Sequence, residues 1–380
     1  MYPKLQDNTH GRDARVTLEV PVQLIMQATA TLKSVQRLIF RFSSLFSALR
    51  PATRAGRALF SALSTQHSAL FLLLAFVPLL RAEPLDRRDL PAQAKWFVHV
   101  DLEAANNSVL GHAMRVMWLT RPEARDAIAR AQQAFGIDPT RDIRGFTVYG
   151  THFAPDSGIL IIHGKVNRGR LLALLEKLPD YRTQSTGART LYYWRDKSRD
   201  PAKPGHASVG AFFGEDTVIV CQDPVPLLAA LDVLDGKSAA LPANSPLAGA
   251  SIPGAVLEAG ATGLADARDL PIRSPILRQC ESGTLSIGEQ EGEAFVRGQV
   301  LTGSEQTASQ VRALIEGARA MAQLQASQSA DAALLLSPLK VSSEGNTVKI
   351  EWHLPASQII RMIHSRESRL AAAQPGVKTP

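Results

Sequence analysis

Two histidines raise the question of chemistry first. In "WFVHVDL", Phe97, His99 and Asp101 alternate with Trp96, Val98 and Val100, so a strand here puts an imidazole and a carboxylate on one face. In "GILIIHGKV", Ile159, Ile161 and His163 align in the same way, and His152 ends the strand-like run before it. If these strands neighbour one another, the imidazoles converge, and an imidazole beside a carboxylate is equipped for general acid–base work. Metal sites follow another pattern, with His pairs at fixed local spacing plus Cys or carboxylate partners, and that pattern is missing. His99 and His163 are therefore sheet-face candidates, with hydrogen-bonded or solvated histidines as the plain alternative. No catalytic, cofactor-binding or metal-ligating residue is assigned.

Other reactive types are weaker. "GHASVG" (205–210) resembles a nucleophile elbow, but G-x-S-x-G is off by one residue and the stretch precedes a strand, so Ser208 reads as a strand-start serine. No phosphate-cradling glycine loop is present, and no cofactor is expected. Cys221 and Cys280 are the only cysteines. They can pair in an oxidising compartment or stay as buried thiols.

The compartment is read from "SALFLLLAFVPLLRAEP", Ser68 to Pro84. Ala69 to Leu80 is apolar throughout. That is too short for the roughly 20 residues a bilayer core requires, and it fits the roughly 7–15-residue core of a signal peptide. Arg50, Arg54 and Arg57 give the basic flank, and cleavage is expected after Ala82. The whole chain is +7, but ten of its 42 basic and three of its 35 acidic residues lie in 1–82, which leaves 32 of each beyond. A neutral body with no basic run excludes a phosphate-tracking surface, so nucleic acid is not an expected partner.

The expected organisation follows from periodicity and turn residues. Residues 1–66 are a poorly ordered basic extension, either the product of a start assigned too early, with the true one near Leu49, or a genuine extension. Residues 67–82 hold the apolar region and cleavage site. A first α+β repeat spans 91–236, an Ala/Pro/Ser-rich linker 237–253, a second repeat 254–364 and a frayed tail 365–380. Each repeat alternates hairpins with helices: "YRTQSTGARTLYYWRD" turns at Thr186-Gly187, and "LKVSSEGNTVKIEW" turns near Gly345. A helical stretch from Ala104 to Phe135 breaks at Arg121-Pro122, with Thr120 as the expected cap and Gly136 as the stop. Gly145 and Gly150 match Gly283 and Gly288 in separation. "HGKV" matches "RGQV", and Gly187/Trp194 match Gly345/Trp352. These parallels indicate an internal duplication. The expected fold is α+β, two tandem repeats of antiparallel sheet with helices packed on one face.

The stretches "LPAQAKWFVHVDLEAA", "PTRDIRGFTVYGT", "LLALLEKLPDY" and "LAALDVLDGKSAAL" resemble a group of uncharacterised exported bacterial proteins. The resemblance covers the chain beyond Leu90. That group has no assigned activity, so the resemblance assigns no residue a role. The reading of function is a non-enzymatic periplasmic or extracellular module that binds or scaffolds a protein or envelope component, and meets the membrane only in transit. One alternative is a hydrolase whose site assembles from sequence-distant residues. The other is a membrane-associated protein held by an uncleaved apolar segment.

Overall fold

The computed structural model describes residues 85–154, 157–195, 207–264, 276–326 and 330–372. The expected cleavage site at Ala82, the apolar region, the basic extension and the last eight residues lie outside them. The described chain is mixed α+β, built on one twelve-stranded sheet in which every pairing is antiparallel.

The chain enters as a strap, residues 85–94, with one 3-10 turn at Arg87–Asp89, and then forms β1 (Trp96–Asp101). Asp101 ends the strand and caps the next helix, accepting from the amides of Glu103 at 2.9 Å and Ala104 at 2.7 Å. Three helices follow: α1 (Leu102–Asn107), α2 (Val109–Leu119) and α3 (Pro122–Phe135). The expected break at Pro122 is present, but Thr120 does not cap α3. Its hydroxyl turns back to the Met117 carbonyl, and Arg121 occupies the cap position without a side-chain bond. Gly136 stops α3 in the left-handed conformation, at φ 68°.

Then come β2 (Ile143–Gly150), β3 (Ile159–Gly164), α4 (Arg168–Leu175), β4 (Arg182–Thr186), β5 (Arg189–Arg195), β6 (Ala207–Phe213), β7 (Thr217–Cys221) and α5 (Pro224–Leu234). The rest comprises β8 (Ala255–Thr262), β9 (Cys280–Gln290), β10 (Glu293–Thr302), α6 (Glu305–Ala326), α7 (Ala330–Leu336), β11 (Lys340–Glu344), β12 (Thr347–Pro355) and α8 (Ala356–Ala372). The helix α8 carries residues 365–372, which shortens the expected frayed tail. The strand order is β11-β12-β10-β9-β8-β1-β2-β3-β7-β6-β5-β4. β1 and β8 therefore form the seam between the two parts of the sheet.

Helices cover both faces, which corrects the one-face expectation. On the His99 face, α5 supplies Leu227, Ala230 and Leu231 to a core that includes Phe97, Ile161 and Ile219. On the Trp96 face, α3 and α4 pack Phe135, Leu171 and Leu175 against Trp194 and Val218. The reason was present in the strands. Ile159, Leu160 and Ile161 are consecutive and all buried, as are Thr217, Val218 and Ile219, so both sides of β3 and β7 need cover. Residues 237–253, expected as a linker, are part of this core. Leu241, Leu247 and Ala250 are buried in it, and Leu241 donates its amide to the strap at Leu90.

The outer strands β10, β12 and β11 differ. Their Trp96-side residues Val300, Val348 and Val341 pack under α6. Their opposite side presents Gln299, Lys349, Glu351, Ser342 and Lys340, all exposed. No described element packs over these residues.

Candidate functional site

The expected convergence of His99 and His163 is built from strand order. β1 and β3 flank β2, and both imidazoles lie on the same sheet face. Thr147 of β2 stands directly opposite His99. What joins the imidazoles comes from the strap. Asp89 is buried, and its Oδ2 accepts from His163 Nε2 at 2.8 Å and from Thr147 Oγ1 at 3.0 Å. His99 Nδ1 lies 2.9 Å from Thr147 Oγ1. With the threonine proton committed to Asp89, His99 must donate through Nδ1. On the far side, His163 Nδ1 meets Thr217 Oγ1 at 3.3 Å.

The network is sealed. His99 and Thr147 are fully buried, and His163 is 8% exposed. Its partial exposure places it toward the sheet end, where Asp216 pairs with Arg144 at 2.7 Å. That guanidinium holds the Asp216 carboxyl below its ordinary range. His152 takes no part. Its ring meets the Thr151 hydroxyl, and its carbonyl accepts the Trp96 indole at 2.8 Å.

A second buried carboxylate adjoins the network. Glu258 of β8 stands opposite His99 on the other side of β1 and is 2% exposed. Burial pushes its carboxyl up to about 7, and the nearby charge of Asp101 adds to that. A polar row thus crosses the sheet through Thr147, His99, Glu258, Ser286, Arg297, Glu351 and Lys340, buried at its start and exposed at its end.

The sequence reading found the two histidines and missed Asp89, Thr147, Thr217 and Glu258. Asp89 sits in "LDRRDLP" as one charged residue among four, with no period to mark it. Glu258 had a readable signal: it interrupts "AVLEAG" on the strand face that continues His99.

Several expected features are placed elsewhere. Cys221 and Cys280 are free thiols, both buried. Five strand intervals separate β7 from β9, about 24 Å at the usual strand spacing, so the expected option of a disulfide is closed. Ser208 is buried on β6 opposite Trp194. Among the described residues no group of three or more His, Cys, Asp or Glu side chains is arranged to hold a metal ion. An apolar hollow lies on the Trp96 face, lined by Leu171, Leu175, Tyr192, Trp194 and Phe212. It is on the opposite side of the sheet from the histidines.

No family model matches the chain, and no curated protein matches it at a significant level. Among solved structures, crystal form III of TP0453 aligns with a TM-score of 0.41 at 11% identity, covering 75% of this chain and 99% of that one. Crystal form I gives 0.37 at 11% identity, with 75% and 98% covered. Crystal form IV gives 0.38 at 10% identity, with 74% and 97% covered.

Proposed function

We propose that the chain is an exported, non-enzymatic module that binds or scaffolds a protein or another envelope component through the open face of β10, β12 and β11. The observation that carries this reading is the contrast along one polar row. Its imidazole and carboxylate end is buried under the strap and residues 246–252, while its Arg297–Glu351–Lys340 end faces outward. A flat strand surface bearing amide, hydroxyl and charges of both signs suits a partner with complementary polar groups. The apolar Ala69–Leu80 segment, the neutral remainder and the resemblance to exported proteins support delivery to the periplasm or beyond.

Internal duplication belongs to the same proposal. Gly145 faces Asp101 and Gly150 faces Trp96 across β1–β2, while Gly283 faces Ala261 and Gly288 faces Ala255 across β8–β9. β12 lies on β10 as β7 lies on β3. This supports matching β11–β12 with β6–β7, which leaves β4–β5 as an extra hairpin. Gly345 then corresponds to Gly214 in place of Gly187.

The test is photo-crosslinking in the native envelope from probes at Gln299 and Lys349, with a probe at exposed Val225 as control. A discrete adduct from the first two alone supports the proposal. Equal labelling from all three rejects it.

One observation favours the hydrolase reading. Asp89, His163 and Thr217 are ordered as carboxylate, imidazole and hydroxyl. Turnover of an ester panel that disappears in His163→Ala, with the fold intact, would select it over the binding module.

A further inference from the structure

We propose that Glu258 and His99 form a proton-linked latch at the β1–β8 seam, which tightens the join between the two parts of the sheet while it holds a proton and loosens it when the proton leaves. β1 and β8 are the strand pair through which the β8–β12 side of the sheet meets the β1–β7 side. Glu258 and His99 are directly opposed in that pair, and both are at least 98% buried.

The surroundings favour a neutral glutamic acid. Glu258 Oε1 accepts from the Ile252 amide at 3.3 Å, with further help from the Ser251 hydroxyl. Its Oε2 has no hydrogen-bond partner among the described residues. The charged groups around it are mostly acidic. β1 contributes His99 and Asp101. α1, packed against β8, contributes buried Glu103. β9 offers the hydroxyl of Ser286, and Arg297 lies one strand beyond. Asp89 lies behind Thr147 on the far side of His99. Asp101 accepts two amides at the N-terminus of α1, whereas Glu258 accepts one longer amide bond from Ile252 and a hydroxyl from Ser251 and sits at no helix end.

Glu258 and His99 are cross-strand neighbours, and a proton on the buried glutamic acid keeps a further negative charge out of the seam. The raised affinity of Glu258 for its proton, caused first by burial and then by the charge of Asp101, agrees with a neutral acid at this position. The sign follows. The folded chain binds the proton more tightly than the unfolded chain does, so the contribution is full below about pH 4.5 and fades as pH rises through about 7. Loss of the proton leaves an anion beside Asp101 in the seam, and repulsion there weakens β1–β8 pairing and the packing of residues 246–252.

The test uses the full chain and its Glu258→Gln variant, which imitates the protonated acid. Folding constants from urea titrations are compared from about pH 5 to about pH 8. The ratio of wild type to variant is expected to fall on the order of tenfold to a hundredfold across that range. A ratio that stays constant overturns the latch. If the variant does not fold, hydrogen exchange of the wild type decides, after correction for intrinsic exchange. Protection in Ala255–Thr262 is expected to drop with rising pH relative to β6–β7. A uniform change along both regions overturns the proposal.

Discussion

His163 donates Nε2 to Asp89 at 2.8 Å across 74 positions of sequence, and this contact ties the strap to the sheet. Since the same carboxylate oxygen takes the Thr147 hydroxyl, Asp89 joins two strands to a segment that also packs through Leu85, Leu90 and Ala94 and bonds by its backbone to Ala239 and Leu241. Removing it leaves an imidazole and a hydroxyl without their shared acceptor. Asp89→Ala is expected to cost about 2–5 kcal/mol in urea unfolding, because two buried donors lose their acceptor. Thr147→Val should cost about 1–3 kcal/mol, because the buried His99 Nδ1–H loses its acceptor while the His163–Asp89 hydrogen bond survives. The Asp89→Ala/His163→Ala double variant should be less unstable than the sum of the single variants, since the second change removes a group already stranded.

Glu289 of β9 caps a helix that belongs to the other side of the seam. Its two oxygens accept from the amides of Val109 and Leu110, each at 2.8 Å. Negative charge at a helix N-terminus is favourable, and Ser108 already caps α2 through Gly111. Glu289→Ala should therefore lower stability by about 1–2 kcal/mol and raise hydrogen exchange in the first turn of α2. Glu289→Gln should fall between, because one acceptor remains. Unchanged exchange in α2 would show that this cap carries no weight.

Two glycines should respond in opposite directions to alanine. A Cβ on Gly288 would sit 2.1 Å from the Gly254 carbonyl oxygen, which is backbone and cannot yield without moving β8. Gly288→Ala is expected to destabilise by about 3 kcal/mol or prevent folding. Gly317 lies within α6 with nothing within 4 Å of its Cβ position, so Gly317→Ala should stabilise by up to about 1 kcal/mol. Thermal melts of the two variants check both signs.

The thiols should be silent in the folded protein. Burial pushes Cys221 up to about 12 and Cys280 up to about 11, and both are enclosed. A thiol reagent at about pH 8 should label neither natively and both in denaturant, with or without prior reduction. Rapid native labelling of either cysteine contradicts the packing described for β7 and β9.

The sequence by itself determined the local elements. Alternation placed His99 and Asp101 on one face of β1, Gly187 and Gly345 marked hairpin turns, Gly136 stopped α3, and the charge count separated a basic N-terminal segment from a neutral remainder. These are properties of short windows, because a side chain's direction and a glycine's φ are set within a few residues. Only the tertiary structure decided which strands are neighbours. It inserted β7 between β3 and β6, set Glu258 against His99, brought Asp89 from the strap onto His163 and Thr147, kept Cys221 from Cys280 and put helices on both faces. Those outcomes depend on register between distant segments and on which apolar surface each helix finds to bury. A period of two or 3.6 residues records which face a residue presents and carries no label for the segment that will meet it.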